Sequence, residues 1–175
     1  QNLYMRSNNN KITKVSGKSY ETVTLSSGVY KHTVSATMTA QLTAMSDCFR
    51  WYRFTKFKFT LVPQNYTAVT GVAYYGGDYD PIATATIANL ESPYMCVMGI
   101  SQSVPSSFSV PRSTLKGAHD WYMTDADAGA SSLDEQGVLL FAGGTTDVAS
   151  FLLEYEVEFL GFLDPSLIAA ALKIR

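Results

Sequence analysis

The chain has 175 residues, enough for one domain that buries its core without disulfide or metal staples. Apolar residues make up 46% and charged residues only 16%, which excludes a disordered, charge-rich protein and leaves so little polar surface that partners are expected to cover part of it. The net charge of −2 hides an asymmetry: residues 1–77 hold nine basic against two acidic side chains, a net +7, while residues 78–175 hold four against thirteen, a net −9. Such a split points to an acidic or nucleic-acid partner for one end of the chain.

Residues 1–20 carry Arg6, Lys11, Lys14 and Lys18 with no acid and include the polar run SNNNK. They read as a basic, weakly ordered lead-in whose cations suit phosphate contacts without sequence readout. From about Lys31 the pattern has period two, with Val34, Ala36, Met38, Ala40 and Leu42 alternating with polar residues, which predicts a half-buried strand through residue 43. Residues 49–63 alternate again, with Tyr52, Phe54, Phe57, Phe59 and Leu61 on one face, and end at Pro63. Further strands are predicted at 69–76, 94–101, 107–111, 137–142 and 150–161, separated by turn-rich pieces such as GGDYDP and DADAGASS. Short helices are expected only at 82–91 and 165–173. Seven or eight strands in one domain predict a sandwich or jelly roll rather than an α/β fold.

The last strand is the most regular. Phe151, Leu153, Tyr155, Val157 and Phe159 share one face, while Glu154, Glu156 and Glu158 stand on the other. Three carboxylates are too costly to bury unpaired, so they should face solvent or a basic neighbour. The tail 164–175 turns apolar, with Leu167, Ile168, Leu172 and Ile174, and is expected to pack on the same subunit or a neighbouring one.

Asp78 and Asp80 flank Tyr79 in a turn fixed by Gly76, Gly77 and Pro81, and Asp125 and Asp127 form a second D-x-D loop. Paired carboxylates of this kind supply hard oxygen ligands for Ca2+, or act simply as turn-forming aspartates. Cys48 and Cys96 match no metal spacing and read as reduced, buried thiols of an intracellular protein. His32 and His119 are the only histidines, and no H-E-x-x-H, G-x-S-x-G, Walker or G-x-G-x-x-G pattern occurs, so an enzyme is not expected. No stretch reads as a signal peptide or is long enough to span a bilayer, and the acceptor triplet at Asn65 carries little weight without a secretory route. Trp51, Tyr52, Tyr74, Tyr75, Trp121 and Tyr122 offer a second function class, a carbohydrate-binding β-sandwich that stacks sugars on aromatic rings; the competing reading places them in the core and at interfaces.

The run WYRFTKFKFTLVP at 51–63 resembles the Y-R-F-T strand of tombusvirus and sobemovirus coat proteins. TGVAYYGGDYDP at 70–81, the Trp121–Tyr122 pair and LLEYEVEFLG at 152–161 resemble later segments of that family in the same order, spanning about 110 residues. The resemblance implies an all-β, eight-stranded antiparallel jelly-roll shell domain over 21–163, with residues 1–20 as the remnant of a basic arm. It further implies a homo-oligomeric icosahedral shell, typically T=3, that packages a positive-sense RNA genome and is found in the virion after synthesis in the host cytoplasm. In that family the D-x-D turn contributes to calcium sites between subunits. Here the acid that often follows the proline is missing, and Asp125 and Asp127 of a neighbour would supply its charge. No protruding domain has a counterpart, so a sobemovirus-like single-domain subunit is the nearer likeness.

Overall fold

The computed structural model describes residues 11–76, 90–124 and 131–162. In chain order its elements are β1 (Thr13–Thr24), β2 (Val29–Ser35), α1 (Ala40–Ser46), β3 (Phe49–Leu61), β4 (Thr70–Gly76), β5 (Met95–Met98) and β6 (Ser106–Val110). There follow α2 (Arg112–Leu115), β7 (Tyr122–Met123), α3 (Ser131–Asp134), β8 (Glu135–Ala142) and β9 (Val148–Phe162). One sheet has the order β1-β9-β3-β6, with the two-residue β7 extending β3's free edge, and the other has the order β2-β8-β4-β5. All pairs are antiparallel. Except from β4 to β5 and from β6 to β7, the chain changes sheet at every step. That alternation is a jelly roll, and the expected all-β, eight-stranded sandwich is the fold observed, with β7 as a small addition.

Aromatic residues fill the space between the sheets. Phe59 and Phe151 from one sheet stack with ring centroids 5.1 Å apart, and Phe141 of the other lies 5.2 Å from Phe151 and 5.7 Å from Phe59. Such pairs add to the burial of large side chains that dominates a core. The inward faces of β3 and β9 are those read from the alternation, but the parity of β3 changes midway, from Tyr52 and Phe54 to Phe57, Phe59 and Leu61. A β-bulge is the cause. Phe54 pairs Val157 and Lys56 pairs Glu156, so Thr55 is an extra residue that resets which side chains point inward.

Two segments depart from the sequence reading. Residues 13–20, expected to be weakly ordered, belong to β1, which pairs β9 without a break from Thr13↔Phe159 to Thr24↔Val148. Its inward positions include only two apolar side chains, Val15 and Val23, so the hydrophobic alternation is faint. The strand expected through residue 43 stops at Ser35, and α1 follows. Thr39, extended at φ −134° and ψ 156°, caps that helix by accepting a hydrogen bond from the Leu42 amide at 3.3 Å. Ala36, Met38 and Leu42 are buried all the same. The helix expected at 82–91 falls mostly, and that at 165–173 wholly, outside the described residues, as does the tail 164–175. Cys96 is buried and Cys48 only half-buried; both are free.

A glycine on β1 lets α1 dock. Gly17 is the register partner of Tyr155, and a Cβ there would stand 2.5 Å from the Tyr155 hydroxyl. Passing over this gap, the hydroxyl donates to Gln41 Oε1 at 2.9 Å and lies 3.2 Å from Thr39 Oγ1. Gly17→Val should therefore displace Tyr155 and lower the unfolding free energy by about 1–3 kcal/mol. Urea denaturation checks this; an unchanged midpoint would mean that Tyr155 does not need the space.

Candidate nucleic-acid interface

Of the basic residues singled out in the sequence, Lys14 and Lys18 lie on the outer face of the five-stranded sheet, where β9 is flanked by β1 and β3. Register places Lys14, Glu158 and Arg53 in one row, Ser16, Glu156 and Lys56 in the next, and Lys18, Glu154 and Lys58 in the third. Side chains of alternate residues share a face, so the three glutamates of β9 form a column between two columns of cations. Lys14 Nζ is 3.2 Å from Glu158 and Arg53 2.7 Å from it. Lys18 and Lys58 reach Glu154 at 2.9 and 3.3 Å. Lys56 approaches Glu156 at 3.6 Å, and Thr55, the bulge residue, donates to the same carboxylate at 2.8 Å. The basic neighbour expected for the glutamates is thus a pair of strands in the same chain.

Lys14 and Lys18 are therefore strand residues, each committed to a glutamate. Lys11 is exposed just before β1. Arg6, Asp78, Asp80, Asp125 and Asp127 lie outside the described residues. Among the described residues no three histidine, cysteine or acidic side chains cluster in a way that could hold a metal ion, and no helix is long and apolar enough to cross a membrane. Burial pushes the Cys96 thiol up to about 12, which leaves it protonated and unreactive. Tyr52, Tyr74 and Tyr122 are buried in the core, and Arg53 covers the Trp121 ring at 4.1 Å. Tyr75 is half-buried and Trp51 is 38% exposed, so three of the six aromatics belong to the core, as the competing reading places them, and not to a sugar-stacking platform.

Sequence reasoning missed α2 and the segment after it, which complete the basic face. Arg112 Nη2 comes within 4.0 Å of Glu158, and Lys116 pairs Asp120 at 2.9 Å. Gln136 holds this region in place. Residues 53–56 lie between the stretches of β3 that pair β7 and β6 and have no neighbouring strand on that side. The fully buried Gln136 carboxamide fills the gap: its oxygen accepts from the Phe54 amide at 2.7 Å, and its nitrogen donates to the Phe54 carbonyl at 3.2 Å and to the Leu115 carbonyl. One side chain replaces the absent ladder and ties α2 to both sheets. Nothing in the sequence signals this, because a single glutamine in a strand has no pattern.

The ion pairs shift the carboxylates. Hydrogen bonds from Lys18 and Lys58 hold Glu154 below the ordinary glutamate range, and the Thr55 hydroxyl does most to lower Glu156. Burial pushes Glu158 up, but hydrogen bonds from Arg53 and Lys14, with their charges, outweigh it and leave a net lowering. A lowered folded-state value means that the stabilisation is complete above the ordinary value of 4.5 and drains away as pH falls through the lowered one. Thermal unfolding should therefore move to lower temperature on acidification from about pH 5 to about pH 3. Glu158→Gln should cost about 1–3 kcal/mol at neutral pH and flatten that dependence. A mutant with the wild-type pH profile would show that other groups carry it.

No family model and no curated protein matches the chain. Solved structures do. Mud crab tombus-like virus superposes with a TM-score of 0.72 at 18% identity, covering 94% of this chain and 96% of that one. Cocksfoot mottle virus gives 0.71 at 10% identity over 95% and 94%. The T=3 Penaeus vannamei nodavirus gives 0.72 at 14% identity over 95% of this chain and 59% of that one. The resemblance read from the sequence segments holds in three dimensions: the chain has the fold of these virus structures.

Proposed function

We propose that this chain is the shell-forming subunit of an icosahedral virus capsid, assembling from identical copies around the viral genome. The carrying observation is the extent of the structural likeness. It takes in more than nine-tenths of both chains for the mud crab and cocksfoot viruses, so the whole jelly roll is matched rather than a shared sheet. The low charge content accords with a surface that is largely covered by neighbouring copies. The function is structural, without catalysis, and its place is the virion, after synthesis in the host cytoplasm.

A T=3 lattice and a positive-sense RNA genome are the finer reading. The sequence resemblance supports both, and among the similar structures the Penaeus vannamei particle is T=3. Asp78 and Asp80, with Asp125 and Asp127 of a neighbouring subunit, are proposed to bind Ca2+ across the interface through hard carboxylate oxygens. Support for that site is the residue chemistry together with the resemblance of the D-x-D turn to the family's calcium-binding turn.

Negative-stain electron microscopy with the ratio of absorbance at 260 and 280 nm tests the reading. Uniform spherical shells with a nucleic-acid spectrum are expected; monodisperse small particles under all assembly conditions would overturn it. Chelation of Ca2+ should lower the melting temperature of wild-type shells and make them swell at neutral pH, because the bridging carboxylates then repel one another. Shells of Asp78→Asn, Asp80→Asn that respond to chelator as the wild type does would remove those two residues from the site.

A further inference from the structure

Two cavities on the outer face of the five-stranded sheet adjoin one another, about 730 and 400 Å3 in volume, and share Thr55 and Arg112 in their walls. Together they form a groove that runs from β1 across the bulge of β3 to α2. Its charged lining is six cations, Lys18, Arg53, Lys56, Lys58, Arg112 and Lys116, against Glu154, Glu156 and Asp120. The carboxylates are already shared: Glu154 lies between two lysines, and Glu158 below takes Lys14, Arg53 and the approach of Arg112. The groove therefore keeps a positive excess of three among the described residues. Its cationic heads reach solvent, with Lys56 75%, Arg112 64% and Lys116 65% exposed.

Tyr20 stands on the same face of β1, one side-chain step beyond Lys18, and is 58% exposed beside its register partner Leu152. A line of solvated cations with an exposed ring at its margin is the arrangement by which proteins hold single-stranded nucleic acid, the charges following the phosphates and the ring stacking on a base. We infer that this groove binds single-stranded RNA, with Lys56, Lys58 and Arg112 as phosphate contacts and Tyr20 as a stacking surface. The choice of RNA as the polymer rests on the capsid reading; the groove itself does not. The site is built by the folded sheet and α2.

The test titrates the unassembled chain with a fluorescently labelled oligouridylate and follows anisotropy across a salt series. For single strands the slope of log affinity on log salt falls by about 0.7 per lost phosphate contact, so the triple variant Lys56→Gln, Lys58→Gln, Arg112→Gln should be shallower by about 2 and bind at least about ten-fold more weakly. Arg112→Gln alone, which removes a 64% exposed side chain whose approach to Glu158 is long at 4.0 Å, is expected to fold as the wild type does and should change the slope by about 0.7. Tyr20→Ala should weaken binding with little change of slope. Lys31→Gln, on the outer face of the other sheet, should match wild type. Unchanged slopes in both the triple variant and Arg112→Gln would overturn the inference, and so would binding of heparin oligosaccharide without binding of RNA. Particles are scored separately by microscopy. Groove-dependent RNA binding by a chain that never forms shells would overturn the capsid proposal alone, whereas RNA-filled shells with groove-independent binding would overturn the groove alone.

Discussion

The pairing of β9 on both of its edges is the constraint on which the rest of the molecule depends. Between β1 and β3 the strand has its backbone groups satisfied over most of its length, and its two faces then do different work. Phe151, Leu153, Tyr155, Val157 and Phe159 are all at most 4% exposed and form one wall of the core, at about 1.5–3 kcal/mol for each large side chain buried. The opposite face would carry three carboxylates without strand partners if both flanking strands were lost, and Glu156 would lose its lysine if β3 alone were. Because both are present, each glutamate meets at least one cation, and the surplus of positive charge on those strands gives the face its sign. Core packing and surface electrostatics thus come from a single register.

The bulge at Thr55 shows how that register is kept while β3 changes direction. Inserting one residue turns Phe57, Phe59 and Leu61 inward and leaves Lys56 and Lys58 outward, beside Arg53, which precedes the bulge. The local gap it shares with the ends of β6 and β7 is closed by Gln136 rather than by another strand. Thr55 itself bonds Glu156, so the irregular residue is also part of the charged face. What looks like a defect in the ladder is the point at which the core, α2 and the groove are joined.

The parts legible in the sequence are those in which one physical signal dominates. Strands β3 and β9 declare themselves through long alternation, and the glutamates of β9 announce that cations must be near, though only the register names them as Lys14, Lys18, Arg53, Lys56 and Lys58. Strand β1 is hard to read because, as an edge strand lying over Tyr155, it points glycine, serine and threonine inward where apolar residues would have marked it. Helix α1 is misread because Ala36, Met38 and Leu42 can be buried with either periodicity, and the Thr39 cap decides between them. The groove is invisible for a different reason: Arg112 and Lys116 lie more than fifty residues from Lys56 in the chain and become its neighbours only when β6 pairs β3.

The place of β9 in the chain also sets the timetable of folding. Its partner β1 is separated from it by more than a hundred residues, so the longest ladder in the molecule closes a very large loop, and all-β topologies of that kind are slow to form. During synthesis β1 and β3 emerge well before the strand that must lie between them. Until β9 arrives, two long edges and the aromatic face of β3 remain open to pairing with other nascent copies. The lysines of β1 and β3, at that stage without their glutamates, are well placed to oppose such pairing by mutual repulsion, so the same cations that later line the groove guard the unfinished sheet.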